Sequence, residues 1–114
     1  MRTTTSPEFD AAFHAWRHLP FPKGGTDPDL AYVDSMIAGT LITLHDKQRF
    51  VEPSAVENWN ERMTRTIQTV IDRWTSALHG QTTVDKQNAE GTLRYALLLR
   101  DAWSYYLDLE EAAG

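Results

Sequence analysis

His14 and His18 are four residues apart, and Asp10 stands four residues before His14. On a helix that spacing aligns the three side chains along one surface, which is how two imidazoles and a carboxylate could share a divalent metal. The same wheel turns the trio away from Phe9, Phe13 and Trp16, so it is expected to face solvent. A catalytic metal needs three ligands, outer hydrogen bonds that orient them and a partly dry cavity. A solvated surface is therefore the plainer reading of Asp10, His14 and His18. His45 and His79 have no His, Cys or Glu at metal-ligand spacing, and the paired Glu-x-x-His pattern of di-iron bundles is missing. No cofactor is expected.

Other groupings carry chemistry only weakly. Glu57 and Glu61 are four apart and could hold magnesium or divide acid and base roles. However, Glu61 also has Arg65 four residues on, in the favourable order for a helical ion pair. Arg62, Arg65 and Arg73 fall within about 80° of one another on a helical wheel, as a phosphate-contacting helix would show. Three guanidinium groups are few for a polyanion, Glu61 and Asp72 border them, and no aromatic pattern for base stacking interleaves them. The segment Pro20 to Thr26 contains Lys23, Gly24 and Gly25 but lacks the Walker order, follows no strand, and is followed by Asp27, which takes the helix cap where an anion would sit. No serine lies in a nucleophile motif, and the chain has no cysteine. Nothing here makes a catalytic constellation, and the expectation is of a protein that is not an enzyme.

Aromatic and aliphatic residues near the C-terminal end carry a different kind of chemistry. Leu97, Arg100, Trp103, Tyr105 and Tyr106 combine the residue types enriched at the energetic centres of protein interfaces. A small-molecule alternative would use a pocket lined by Tyr32, Trp59 and Trp103.

The elements that must position these residues are legible from caps, breakers and periodicity. Ser6, Pro7 and Glu8 start a helix that runs to about His18, with Phe9, Ala12, Phe13 and Trp16 on one face. Asp27 and Pro28 open a second helix reaching about Arg49. Leu30, Val33, Ile37, Leu41 and Leu44 form its main stripe. Tyr32, Met36 and Phe50 lie on a second side, near the small residues Ser35, Gly39 and Thr43, which would let another helix come close. Ser54 and Glu57 have capping-box spacing for a third helix, which Gly80 ends just after His79. Its apolar positions from Val56 to Leu78 occupy an arc of about 120°, the width of one buried face. A fourth helix starts near Thr83 or Asp85 and runs to about Glu111. It is apolar around roughly two-thirds of its circumference, which predicts a second buried face and hence self-association. The alternative is that the short first helix covers that face.

No strand alternation appears, so the fold is expected to be all-α: an antiparallel bundle of three long helices plus a shorter N-terminal one. The 114 residues suffice for one domain spanning 1–114, with residues 1–5 as a disordered tail. The net charge of -5 argues against nucleic acid and anionic lipid as partners, and no apolar run is long enough for a membrane span. A soluble cytoplasmic protein is expected, acting through protein contacts as a homodimer, adaptor, small subunit, immunity-type or antitoxin-type protein. A metal- or ligand-binding bundle is the second reading and a nucleic-acid-associated regulator the third.

Overall fold

The computed structural model describes residues 5–21, 27–80 and 86–113. Among them it is all-helical, with α1 (Pro7–His18), α2 (Pro28–Lys47), α3 (Pro53–His79) and α4 (Lys86–Ala113) and no strand. No helix among the described residues is long and apolar enough to cross a membrane. Residues 1–4 of the expected tail, residues 22–26 of the glycine-containing loop and the expected α4 start at Thr83 or Asp85 lie outside the described residues.

Three helices begin on a proline, which fixes a helical φ and has no N–H to leave unsatisfied in the first turn. In α1 the Ser6 hydroxyl accepts from the Phe9 N–H at 3.1 Å. In α2 the Asp27 carboxylate accepts from the N–H groups of Asp29 and Leu30, at 2.9 and 3.3 Å. The expected Ser54 cap is not used. The third helix starts two residues earlier, at Pro53, after Glu52, which makes no side-chain cap bond. Ser54 is thereby drawn into the helix, since the proline ring presets the start.

Helix α2 stops at Lys47 rather than near Arg49, because Gln48 adopts a left-handed backbone with φ 54°. That turn directs the chain back towards α4. The Val51 N–H donates to the Tyr106 hydroxyl at 3.3 Å, and Phe50 meets the Tyr106 ring edge-on at 5.7 Å. Phe50 therefore belongs with α4 and not with Tyr32 and Met36.

Every stripe residue of α1 and α2 named above is buried, and Leu30, Val33, Ile37, Leu41 and Leu44 are fully so. Val56, Met63, Ile67, Val70 and Ile71 supply the buried side of α3. The fourth helix packs against all three others. Ala89, Tyr95, Ala96, Leu99, Ala102, Trp103 and Tyr106 are buried, while Leu93, Leu97, Leu98, Tyr105, Leu107 and Leu109 are partly buried against the same core. The wide apolar girdle of α4 is thus met within one chain, α1 covering the side that α2 and α3 leave. At its centre Trp103 lies parallel to Tyr106 and to Trp59, with ring centroids 5.4 and 5.3 Å apart, and its indole N–H donates to Thr64 Oγ1 at 3.2 Å.

Candidate functional site

The Asp10, His14 and His18 trio does not assemble into a metal site. Asp10 Oδ2 accepts from the Thr5 hydroxyl at 3.4 Å, and His18 Nδ1 sits 2.8 Å from the His14 carbonyl. His14 and His18 are exposed. Among the described residues no three His, Cys, Asp or Glu side chains are grouped so as to hold a metal ion. His45 of α2 joins this surface instead, stacking on Phe13 at 4.1 Å and meeting His14 edge-on at 4.9 Å. Its Nδ1 lies 2.9 Å from the Asp46 carboxylate. Three histidines from two helices thus meet at one seam, a grouping that local spacing did not reveal.

The three arginines are separated by their partners. Arg65 pairs with Glu61 at 2.7 Å, both side chains exposed, as the four-residue spacing implies. Arg62 is exposed beside them. Arg73 instead spans to the start of α2, donating to Asp27 and, at 3.0 Å, to Asp29. Trp74 adds its indole N–H to Asp27 at 2.7 Å. Burial alone would push the Asp27 carboxyl up. The Trp74 and Arg73 bonds and the two backbone N–H groups outweigh it and hold the group below its ordinary 3.8. Arg73 is therefore a tie between α3 and α2 rather than part of an anion-binding stripe.

A second carboxylate, which the sequence reading did not single out, joins three helices. Asp34 Oδ1 on α2 accepts from the Tyr95 hydroxyl of α4 at 2.7 Å and from the Trp16 indole N–H of α1 at 3.2 Å. Burial pushes the Asp34 carboxyl above its ordinary 3.8 despite both bonds, and burial together with the Asp34 charge pushes the Tyr95 phenol up as well. A carboxyl whose pKa is raised on folding is better protonated in the native state than in the unfolded one. Its stabilising contribution is complete below 3.8 and is lost as pH rises through the folded value. Denaturation midpoints measured from about pH 7 down to about pH 4 should therefore show a stability gain that Asp34→Asn removes. Equal slopes in the two proteins would contradict this account. A signal for Asp34 was present in the sequence. It lies beside the apolar stripe of α2, and a buried tryptophan such as Trp16 needs an acceptor for its N–H.

The five residues of the expected α4 interface are not a common surface. Trp103 and Tyr106 are 1% and 0% exposed inside a single chain, so neither can anchor a contact with another. Burial also pushes the Tyr106 phenol up to about 12. Leu97 and Tyr105 are partly buried against the core. Arg100 is exposed and lies 3.3 Å from Asp101. The expected aromatic pocket also divides. Trp59 and Trp103 stack on each other, whereas Tyr32 stands on the outside of α2.

What remains uncovered is the second side of α2. Tyr32 and Met36 are 44% and 41% exposed, the large hydrophobic side chains most open to solvent among the described residues. Ser35 and Gly39 are exposed beside them, and a Cβ built on Gly39 would meet nothing within 4 Å. No family model, no curated protein and no solved structure matches the chain, so its function is read from this geometry.

Proposed function

We propose that the chain is a non-enzymatic antiparallel helical bundle that acts through protein contacts and pairs with a second copy of itself along α2. The observation that carries this reading is the joint exposure of Tyr32 and Met36, one turn apart on a helix whose opposite side is fully buried. At 100° per residue Tyr32, Met36, Gly39 and Thr43 fall within about 60° of one another, a single narrow stripe. A tyrosine and a methionine on the two turns before a glycine suit a close helix crossing, in which Gly39 admits the partner backbone and Tyr32 and Met36 pack on its N-terminal side.

The charges favour a two-fold arrangement. Asp29 is exposed at the start of α2 and Lys47 at its end. In an antiparallel pairing of two α2 helices each start lies beside the end of the other copy and the two helix dipoles run in opposite directions; Asp29 is already paired with Arg73, so the dipoles rather than a free acidic start favour this direction. Such a pairing uses the same patch on both copies and closes at a dimer. The antiparallel reading of the bundle itself is supported by the contacts of Asp27 with Arg73 and Trp74 and of Trp103 with Trp59 and Thr64. In each pair of consecutive long helices the start of one lies near the end of the next.

Gly39→Arg tests this reading directly. Within one chain the new side chain enters open space, and replacing a mid-helix glycine by arginine should leave folding unchanged or stabilise it by about 0.5–1 kcal/mol. Across the α2 pairing it would block the crossing. Light scattering after size exclusion should give a concentration-stable dimer for the native chain and a monomer of undiminished unfolding midpoint for Gly39→Arg. A native monomer, or a variant dimer of equal strength, would overturn the proposal.

A further inference from the structure

The chain has three methionines and no cysteine, so its readily oxidised sulfur is all thioether. Met36 and Met63, the two among the described residues, have opposite surroundings. Met63 is 0% exposed inside the core, whereas Met36 is 41% exposed on the outer side of α2. In the folded chain a hydroperoxide therefore reaches the second and not the first.

Oxidation at Met36 alters the property on which α2 pairing depends. A sulfur lone pair attacks one oxygen of the peroxide, the O–O bond breaks and an S–O bond forms. The other oxygen leaves as hydroxide, or as alkoxide from an organic peroxide, and takes up a proton to give water or an alcohol. Sulfur gives up two electrons and the peroxide accepts them. The flexible apolar thioether becomes a polar sulfoxide whose oxygen must be hydrogen-bonded or stay in water. Across a crossing at Gly39 it is drawn out of water, and the Thr43 hydroxyl one turn beyond the glycine is already committed to the Gly39 carbonyl at 2.7 Å. A two-fold pairing carries this penalty twice, once for each copy.

We propose that Met36 is an oxidation site through which hydroperoxides release the α2 pairing. The inference rests on that pairing and adds its regulation. Pairing covers Met36, so oxidation proceeds through the dissociated chain and then holds the copies apart. The bundle stays folded, because the apolar stripe of α2 lies on the opposite side of the helix and Met63 is shielded. Methionine sulfoxide reductases reverse the change.

The test treats the native chain and Met36→Leu with dilute hydrogen peroxide. Peptide mass mapping follows oxygen gain at Met36 and Met63, and light scattering over a concentration series follows pairing. In the native chain Met36 should convert fully before Met63 gains oxygen, with helix content by circular dichroism unchanged. The dimer dissociation constant should rise at least about tenfold and return after treatment with reductases of both stereospecificities. Met36→Leu, compared only with itself before and after peroxide, should show no rise. The proposal is overturned if Met63 oxidises as fast as Met36, if the fully oxidised chain pairs as tightly as the reduced one, or if Met36→Leu is weakened to the same degree. A native chain already monomeric before peroxide overturns the α2 pairing itself, which separates the two failures.

Discussion

Truncating Trp103 to alanine is expected to lower the free energy of unfolding by about 3–5 kcal/mol, the range for removing a buried aromatic side chain from a packed core. The ring is 1% exposed and lies parallel to both Trp59 and Tyr106, so its loss opens a void between two aromatic neighbours that cannot both move into it. The Thr64 hydroxyl also loses its indole donor, a small term because Thr64 is exposed to water. Against a total stability of about 5–15 kcal/mol for a domain of this size, such a loss leaves a marginal fold. Trp103→Phe keeps a ring in the stack and should cost much less. Urea unfolding monitored by circular dichroism measures both. A residue that anchored a contact with another protein would behave differently. Its alanine variant would keep the native unfolding midpoint and lose only association, and that outcome would return Trp103 to the surface role that its residue type suggests.

That contrast shows where local sequence information ends. Helix starts were legible because Ser6 with Pro7 and Asp27 with Pro28 carry their own mechanism, a side-chain acceptor followed by a ring with preset φ. The buried stripes of α1, α2 and α3 were legible because a helix repeats its faces every 3.6 residues whatever surrounds it. The breadth of the apolar surface on α4 was equally visible, but a wheel says only how much of a helix must be covered and not by what. With Phe9, Phe13 and Trp16, the short α1 suffices to close the third side, so surplus apolar surface within one helix did not imply surplus in the whole chain.

Candidate site residues fared according to the range of their partners. The Glu61 and Arg65 pair formed because both partners lie on one helix turn. Arg73 could not be separated from Arg62 and Arg65 by spacing, since its partners Asp27 and Asp29 lie 46 and 44 residues away. The meeting of His45 with His14 and the junction of Asp34 with Trp16 and Tyr95 are likewise products of packing between helices. The second face of α2 is the exception. Its small residues at every fourth position were readable as a place for close approach, and among the described residues no other helix comes within 4 Å of a Cβ built on Gly39.

Asp27→Ala should be the most damaging change to a polar residue, at about 3 kcal/mol, because one carboxylate does several jobs at once. It caps α2 through the Asp29 and Leu30 N–H groups and fixes the far end of α3 through Trp74 and Arg73. Loss of the cap alone is worth about 1 kcal/mol, and a hydrogen bond to a charged group about 1.5–3 kcal/mol. The upper end of that sum is not expected, because Arg73 is 46% exposed and keeps Asp29, so its charge is not stranded. Asp27→Asn separates the two contributions. An amide has one acceptor oxygen, so it keeps the cap at Asp29 and Leu30 but turns an NH2 group towards the Trp74 and Arg73 donors that Asp27 Oδ2 accepts from, and its cost should be that of alanine less the cap term of about 1 kcal/mol. Acid titration supplies the matching test. Because the folded pKa of Asp27 is held below 3.8, its contribution is fully present above that pH and is lost as pH falls through the folded value. The native chain should therefore show a steep loss of stability below about pH 4 that is reduced in Asp27→Asn. If the amide variant matches alanine in cost and retains the full acid sensitivity, the tie between α2 and α3 does not rest on this carboxylate.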